Sequence, residues 1–172
     1  MALETVNIQE KLTQQFGEKV FAFGMQKDIF SFEATPDSIR EVIQFLKENQ
    51  DLNFHFLTDL CGIHFPENDD NHQFAVVYHL HNWIENVRVR VKTYLTENPE
   101  VDTISDIFLS ANWMERETWD FYGINFQGHP QLKRILNMDE MVSFPMRKEF
   151  PMEDSGRTDK DDRFFGRTKI NE

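Results

Sequence analysis

Phe74-Ala75-Val76-Val77-Tyr78-His79-Leu80 and, beyond a turn at Asn82 to Asn86, Val87-Arg88-Val89-Arg90-Val91-Lys92 carry the period-two signature of half-buried antiparallel strands. In the second segment the valines alternate with Arg88, Arg90 and Lys92, so one face is apolar and the other charged. The charged stripe reads as the solvent face of an edge strand, where charge discourages aggregation; docking of an acidic partner is the other reading. His79 and His81 share a strand face, and without a third convergent ligand they read as sheet residues rather than a metal site.

A sheet of this kind needs a cover for its apolar face, and the flanking sequence supplies one. Leu52 to Phe65 alternates poorly but is rich in Phe and Leu, which predicts a strand covered on both faces that runs into the solvated acidic loop Glu67-Asn68-Asp69-Asp70-Asn71. Thr35-Pro36 predicts an N-cap and first-turn proline, followed by the helical stripe Ile39, Val42, Ile43 and Leu46. Val20 to Met25 and Asp28 to Glu33 read as a hairpin. Asn7 with Glu10 predicts a capping-box start for a helix over residues 8 to 16, closed by Gly17. One further helical turn is expected around Ser105 to Leu109. The class is α+β: an antiparallel sheet of four or five strands backed by two or three helices, with an extended C-terminal strap.

A last helix, of about ten residues, is delimited by Asn112 as N-cap, with Glu115 able to reach back to its amide, and by Gly123 in the left-handed position past its end. Glu115, Trp119 and Tyr122 share one face of it; Arg116 and Asp120 share another. Asp120 falls in the last turn, where the helix dipole disfavours a carboxylate by roughly 0.3 to 1 kcal/mol. Glu115, Glu117, Asp120 and His129 are suitable ligands for a hard metal or zinc, but their helical positions point them apart and Arg116 competes for the carboxylates. The preferred reading is a hydrogen-bonded network of Arg116 and its acids that locks the helix to the strap. Trp113, Trp119, Phe121 and Tyr122, extended by Phe126, read as core or interface rather than a cofactor cage.

From Gln127 onward no period is sustained, and the last 46 residues hold three of the six prolines and three of the seven glycines. Charge divides at the same place: the first 126 residues carry 9 Lys/Arg and 21 Asp/Glu, the last 46 carry 9 and 9. Residues 1–126 are therefore expected to form a globular domain and 127–172 a partner-binding strap. Ile135, Leu136, Phe144, Phe150, Phe164 and Phe165 have no core of their own in that strap and are expected to gain burial by lying along another protein.

The formal charge of -12 opposes a nonspecific grip on nucleic acid or anionic lipid. Cys61 alone can form no disulfide within the chain and cannot supply the thiolates of an iron-sulfur cluster, and a reducing compartment is expected. Dinucleotide, phosphate-loop and nucleophile-elbow motifs are missing. Met1 to Asn7 has an early acid and no apolar run, so a cytosolic chain, or one peripheral to a membrane and without a span, is expected.

The run Glu115-Arg116-Glu117, followed by Phe121-Tyr122-Gly123-Ile124, Gly128-His129-Pro130 and Lys133-Arg134-Ile135-Leu136, resembles the C subunit family of NADH-quinone oxidoreductase, respiratory complex I. Ser143-Phe144-Pro145 stands where that family repeats Gly-His-Pro. The resemblance marks Glu115, Arg116, Glu117, Asp120, Gly123, Gly128, His129, Pro130, Lys133 and Arg134, with Arg147 and Lys148 further on, as positions of architecture and contact. It assigns no catalytic, cofactor-binding or metal residue. What it implies is a cofactor-free scaffold of the peripheral arm, beside the quinone-reducing D subunit and near the B and I subunits, on the cytoplasmic side of the bacterial inner membrane. NADH, FMN, iron-sulfur clusters and quinone are then handled by other subunits, and no activity is expected of the isolated chain. The alternative is an equivalent scaffold in a membrane-bound hydrogenase or ferredoxin-driven complex, because the fold does not encode the electron donor. A metal-dependent hydrolase using the carboxylates and His129 is the opposing class.

Overall fold

Alternation becomes pairing in β4 (Phe74–Asn82) and β5 (Val87–Leu95), which run antiparallel with Phe74 opposite Leu95 and Asn82 opposite Val87. The computed structural model from which this is read describes residues 5–150. Asn82 closes the turn, its Oδ1 accepting from the N–H groups of Ile84 (3.0 Å) and Glu85 (3.1 Å). Tyr78, Leu80, Val89 and Val91 are buried on one face, and Arg88, Arg90 and Lys92 stand on the other.

The remaining strands are β1 (Val20–Gln26), β2 (Ile29–Ala34) and β3 (Phe56–His64), and the sheet order is β1-β2-β5-β4-β3. β5 is thus an interior strand, and the edge-strand reading of its charged stripe is corrected. Lys92 pairs with Glu33 of β2 (3.3 Å), and Arg90 donates to His79 of β4 (2.8 Å). The α+β class holds, with one departure from an all-antiparallel sheet: β2 and β5 pair parallel, Phe30 beside Val89 and Phe32 beside Val91. A parallel pair needs a long crossover, and α2 (Ile39–Glu48) with the β3–β4 hairpin provides it.

β3 is an edge strand, not one covered on both faces: Leu57, Leu60 and His64 are buried while Phe56 is exposed. Its register shifts between Leu57 and Asp59, a bulge that adds one residue and throws the alternation out of phase. The bulge is what makes its sequence look two-sided. Helix starts are displaced as well. α1 spans Thr5–Phe16, so Asn7 and Glu10 lie inside it rather than capping it, and α2 takes Ser38 as N-cap while Thr35-Pro36 forms the turn before it.

Ile8 and Leu12 of α1 and Ile39, Val42, Ile43 and Leu46 of α2 join the core cluster with Phe30, Phe32, Tyr78, Val89 and Val91. A short parallel pair, β6 (Glu100–Asp102) with β7 (Asn125–Gln127), flanks α3 (Ala111–Tyr122). Between β6 and α3 one helical turn is closed by Phe108 N–H on Ile104 O (2.8 Å). Gln127 completes β7, so this pair straddles the junction of the 1–126 and 127–172 segments. The later strap, including Phe164 and Phe165, lies outside the described residues.

Candidate functional site

α3 crosses the sheet over Gly62, where a side chain is excluded: a Cβ there would lie 2.8 Å from Tyr122 and 2.9 Å from Thr118. Both of its inward carboxylates, Glu115 and Asp120, are fully buried. They meet different surroundings.

At the first end, Ser110 occupies the N-cap and Glu115 does not reach back to the Asn112 amide. Its Oε1 accepts the N–H of Ile104 (2.7 Å), and its Oε2 lies 2.5 Å from the Thr103 hydroxyl. Arg40 of α2 steadies this loop, donating to Thr103 O (2.5 Å) and to both Asp106 oxygens (2.8 and 2.5 Å). Removal from water pushes the Glu115 carboxyl up to about 7, against the opposing pull of Thr103 and Ile104. His129 comes within 3.9 Å of Glu115 but is committed elsewhere. Its Nε2 faces Asn112 O (3.1 Å) and its Nδ1 accepts the Gln131 N–H (3.0 Å), so these partners assign a neutral ring protonated at Nε2. His129 therefore ties the Gly128-His129-Pro130 turn over the start of α3, and Gly128 turns the chain with φ +78.

At the other end, Asp120 Oδ2 accepts three successive backbone N–H groups, from Ile135 (3.0 Å), Leu136 (2.9 Å) and Asn137 (3.0 Å). Oδ1 accepts from Arg134 Nη1 (2.7 Å) and Asn137 Nδ2 (3.0 Å). Burial works to raise this carboxyl's pKa, but the Leu136 and Asn137 amides and the Arg134 guanidinium outweigh it and hold the group well below the usual carboxylate range. The cost of an acid at a helix C-terminus is met by this nest of donors.

The expected network of Arg116 with its acids is corrected. Arg116 donates to the carbonyls of Lys133 (3.0 Å) and Arg134 (3.2 Å) and lies 5.0 Å from the Trp113 ring, while Arg134 is the partner of Asp120. An i, i+4 spacing brings side chains near one another without deciding what each binds. Arg116 and Arg134 divide the work, one holding the strap's carbonyls and the other the helix's acid.

Every open carbonyl of the last turn finds a donor beyond the helix. Gly123 N–H reaches Trp119 O (2.8 Å), Arg134 reaches Asp120 O (3.0 Å), Met146 N–H reaches Phe121 O (3.1 Å) and Arg147 Nε reaches Tyr122 O (2.8 Å). Gly123 adopts φ +75, and a Cβ on it would lie 2.6 Å from the Phe144 ring and 2.7 Å from Arg147. Phe144, the middle of Ser143-Phe144-Pro145, sets its ring edge-on to Trp119 at 6.3 Å. Lys148 N–H donates to His64 Nδ1 (2.9 Å). Residues 128–150 thus return along α3 to the end of β3.

Of the marked positions, Glu115, Gly128 and His129 gather at the start of α3, and Arg116, Asp120, Gly123, Arg134 and Arg147 gather at its end. Glu117, Pro130, Lys133 and Lys148 are exposed, and the last two contribute only backbone atoms to these contacts. Arg40, His64, Thr103 and Asn137 carry no signal in the sequence, because no local period links them to α3.

The metal candidates do not converge. Glu115 and His129 sit apart from Asp120, and among the described residues no three ligand-type side chains cluster. His79 Nε2 is occupied by Arg90, and His81 Nε2 faces Asn86 Oδ1 at 3.3 Å. Burial pushes the Cys61 thiol up to about 11, which leaves it a poor nucleophile. Among the described residues no helix is long and apolar enough to cross a membrane.

Comparison with known proteins is consistent across three levels. The family described as respiratory-chain NADH dehydrogenase, 30 Kd subunit, matches residues 32–156. The NADH-quinone oxidoreductase C 2 subunit of Rhizobium meliloti is 44% identical over 138 residues, covering 80% of this chain and 74% of its own. Its namesake from Rhizobium etli is 39% identical over 153 residues, covering 88% and 80%. Among solved structures, a trypsin-resistant fragment (1-134) of Nqo5 superposes with a TM-score of 0.62 at 26% identity, over 75% of this chain and 100% of the fragment. A chain of the membrane-bound sulfane sulfur reductase, an archaeal respiratory membrane complex, shares the fold with a TM-score of 0.71 at 24% identity, over 86% of this chain and 85% of that one.

Proposed function

This chain belongs to the 30 Kd subunit family of respiratory-chain NADH dehydrogenase, as a subunit of NADH-quinone oxidoreductase, and on that premise we propose that its own task is mechanical: it braces the peripheral arm by docking its strap on the quinone-reducing D subunit. The B and I subunits lie alongside, the assembly sits on the cytoplasmic side of the membrane, and electrons pass from NADH to quinone through cofactors in other subunits. The isolated chain turns nothing over. Its single, half-buried thiol and its committed histidines support a cofactor-free role.

The observation that carries this reading is the two-sidedness of residues 134–150. Inward, the segment is bolted to Asp120 and to the end of α3. Outward, it leaves Leu136, Met138, Val142, Met146 and Phe150 uncovered, with Val142 93% exposed. A row of exposed apolar residues on a rigidly held segment, rich in adaptable methionine, is what a partner surface requires. The Leu136→Asp/Val142→Asp double variant of the full chain tests it. Both side chains face solvent, so the melting temperature is expected to hold while co-purification of the D subunit is lost; retention of that partner at unchanged affinity overturns the reading.

A further inference from the structure

His64 ends β3 with its side chain almost wholly buried, its ring lying flat on Phe74 at 4.5 Å and 13°. Its Nδ1 accepts the backbone N–H of Lys148 at 2.9 Å, the last hydrogen bond from the body to the strap among the described residues. A ring nitrogen accepts only when it carries no proton, and a backbone amide can only donate. The ring is therefore neutral, with its proton on Nε2. A second proton has to go on Nδ1, where it would meet the Lys148 N–H donor to donor.

We propose that His64 is a proton-operated catch: neutral, it holds residues 148–150 of the strap against the end of β3, and protonated, it lets them go. Among the described residues, the charged groups acting on the ring all come from the strap. Arg147 and Lys148 oppose a positive charge on it and Glu149 favours one, whereas β4 offers only the Phe74 ring. Burial, the largest influence, joins the two cations in holding the imidazole below its ordinary value. The sign follows: a histidine less willing to take a proton when folded stabilises the closed strap above the ordinary value of 6.5, and that contribution is lost as pH falls through the lowered one.

Release is local. Asp120 stays ionised far below this range and Met146 and Arg147 keep their bonds to Phe121 O and Tyr122 O, so the strap stays clamped up to residue 147 while the stretch bearing Phe150 comes free. What release does for docking rests on the partner-binding reading above; the catch itself does not.

The test is amide exchange at Lys148 in the full chain, corrected for the intrinsic pH dependence of exchange. In the natural sequence its protection is expected to fall about tenfold between about pH 8 and about pH 5, in step with the His64 imidazole titration, while β4 amides stay protected. His64→Gln, which keeps a neutral acceptor, is expected to stay protected throughout, and His64→Leu to be unprotected throughout. Protection that is flat across the range in the natural chain, or lost equally in His64→Gln, overturns the proposal. Should the variants fail to fold, coincidence of the two titrations in the natural chain decides alone. Exchange at Lys148 reads the catch and retention of the D subunit reads the docking, so either can fail without the other.

Discussion

Glu115 and Asp120 lie on the same helix and are equally hidden from solvent, yet one is pushed up to about 7 and the other is held ionised into strong acid. The difference lies in the donors. Among the described residues Asp120 collects five, one of them a guanidinium, whereas Glu115 has one amide and one hydroxyl and no cation in contact. Burial alone does not set a carboxyl's charge; the wiring supplied by the opposing segment does. One end of α3 is an ionic bolt and the other a hinge pin that takes up its proton near neutrality.

Breaking the bolt has the largest expected effect. Asp120→Ala leaves a buried guanidinium without its counter-charge and three backbone amides unpaired, and it should cost about 3 to 5 kcal/mol in urea unfolding and open residues 134–137 to amide exchange. Because its folded value is depressed, Asp120 contributes stability above the ordinary value of 3.8 and loses it as pH falls further. A cost below about 1 kcal/mol would erase the contrast between the two ends. Gly123→Ala combines a left-handed backbone with a collision against Phe144 and Arg147, for about 2 to 3 kcal/mol and a displaced strap visible in the Trp119 fluorescence.

The hinge pin gives the opposite sign of pH dependence. Glu115 binds its proton more tightly when folded, so its contribution is full below 4.5 and drains away as pH rises through about 7, by about 3 kcal/mol at most. Glu115→Gln should flatten that slope and leave the chain about 1 to 3 kcal/mol more stable than the natural sequence above pH ~8. Urea midpoints across the range decide it, and an unchanged slope would show that another group titrates. Smallest of all is Arg116→Ala, at about 1 kcal/mol, since it forfeits two carbonyl hydrogen bonds and a Trp113 contact but leaves no acid unpaired. A thermal melt as damaged as that of Asp120→Ala would restore Arg116 as the acid's partner.

Much of the sheet is legible in the sequence because its information is local. The alternation in β4 and β5 and the stripe on α2 are written within single turns or single strands, and Gly123 marks a helix end by its own conformation. The parallel meeting of β2 with β5 is not, because nothing in Ile29–Ala34 encodes which distant strand it joins. β3 escapes correct reading because one bulge breaks the very periodicity by which strands are recognised. At the site, the sequence marks the acids and the segment they hold but not the pairing between them. Arg116 is the nearest cation along the helix, and only the returning chain brings Arg134 to Asp120. His64 gives no signal, since its partner is the main chain of a residue far downstream.

The adjacency of Phe30 and Val89 bears on how the chain comes to be folded at all. As the polypeptide leaves the ribosome, the β1–β2 hairpin appears early but keeps one border open until α2, β3, β4 and β5 have followed it. A pairing so distant in sequence has to close its loop before its contacts repay the closure, and such non-local pairing slows folding. Until it forms, the hairpin leaves Phe30 and Phe32, buried in the finished core, without their cover.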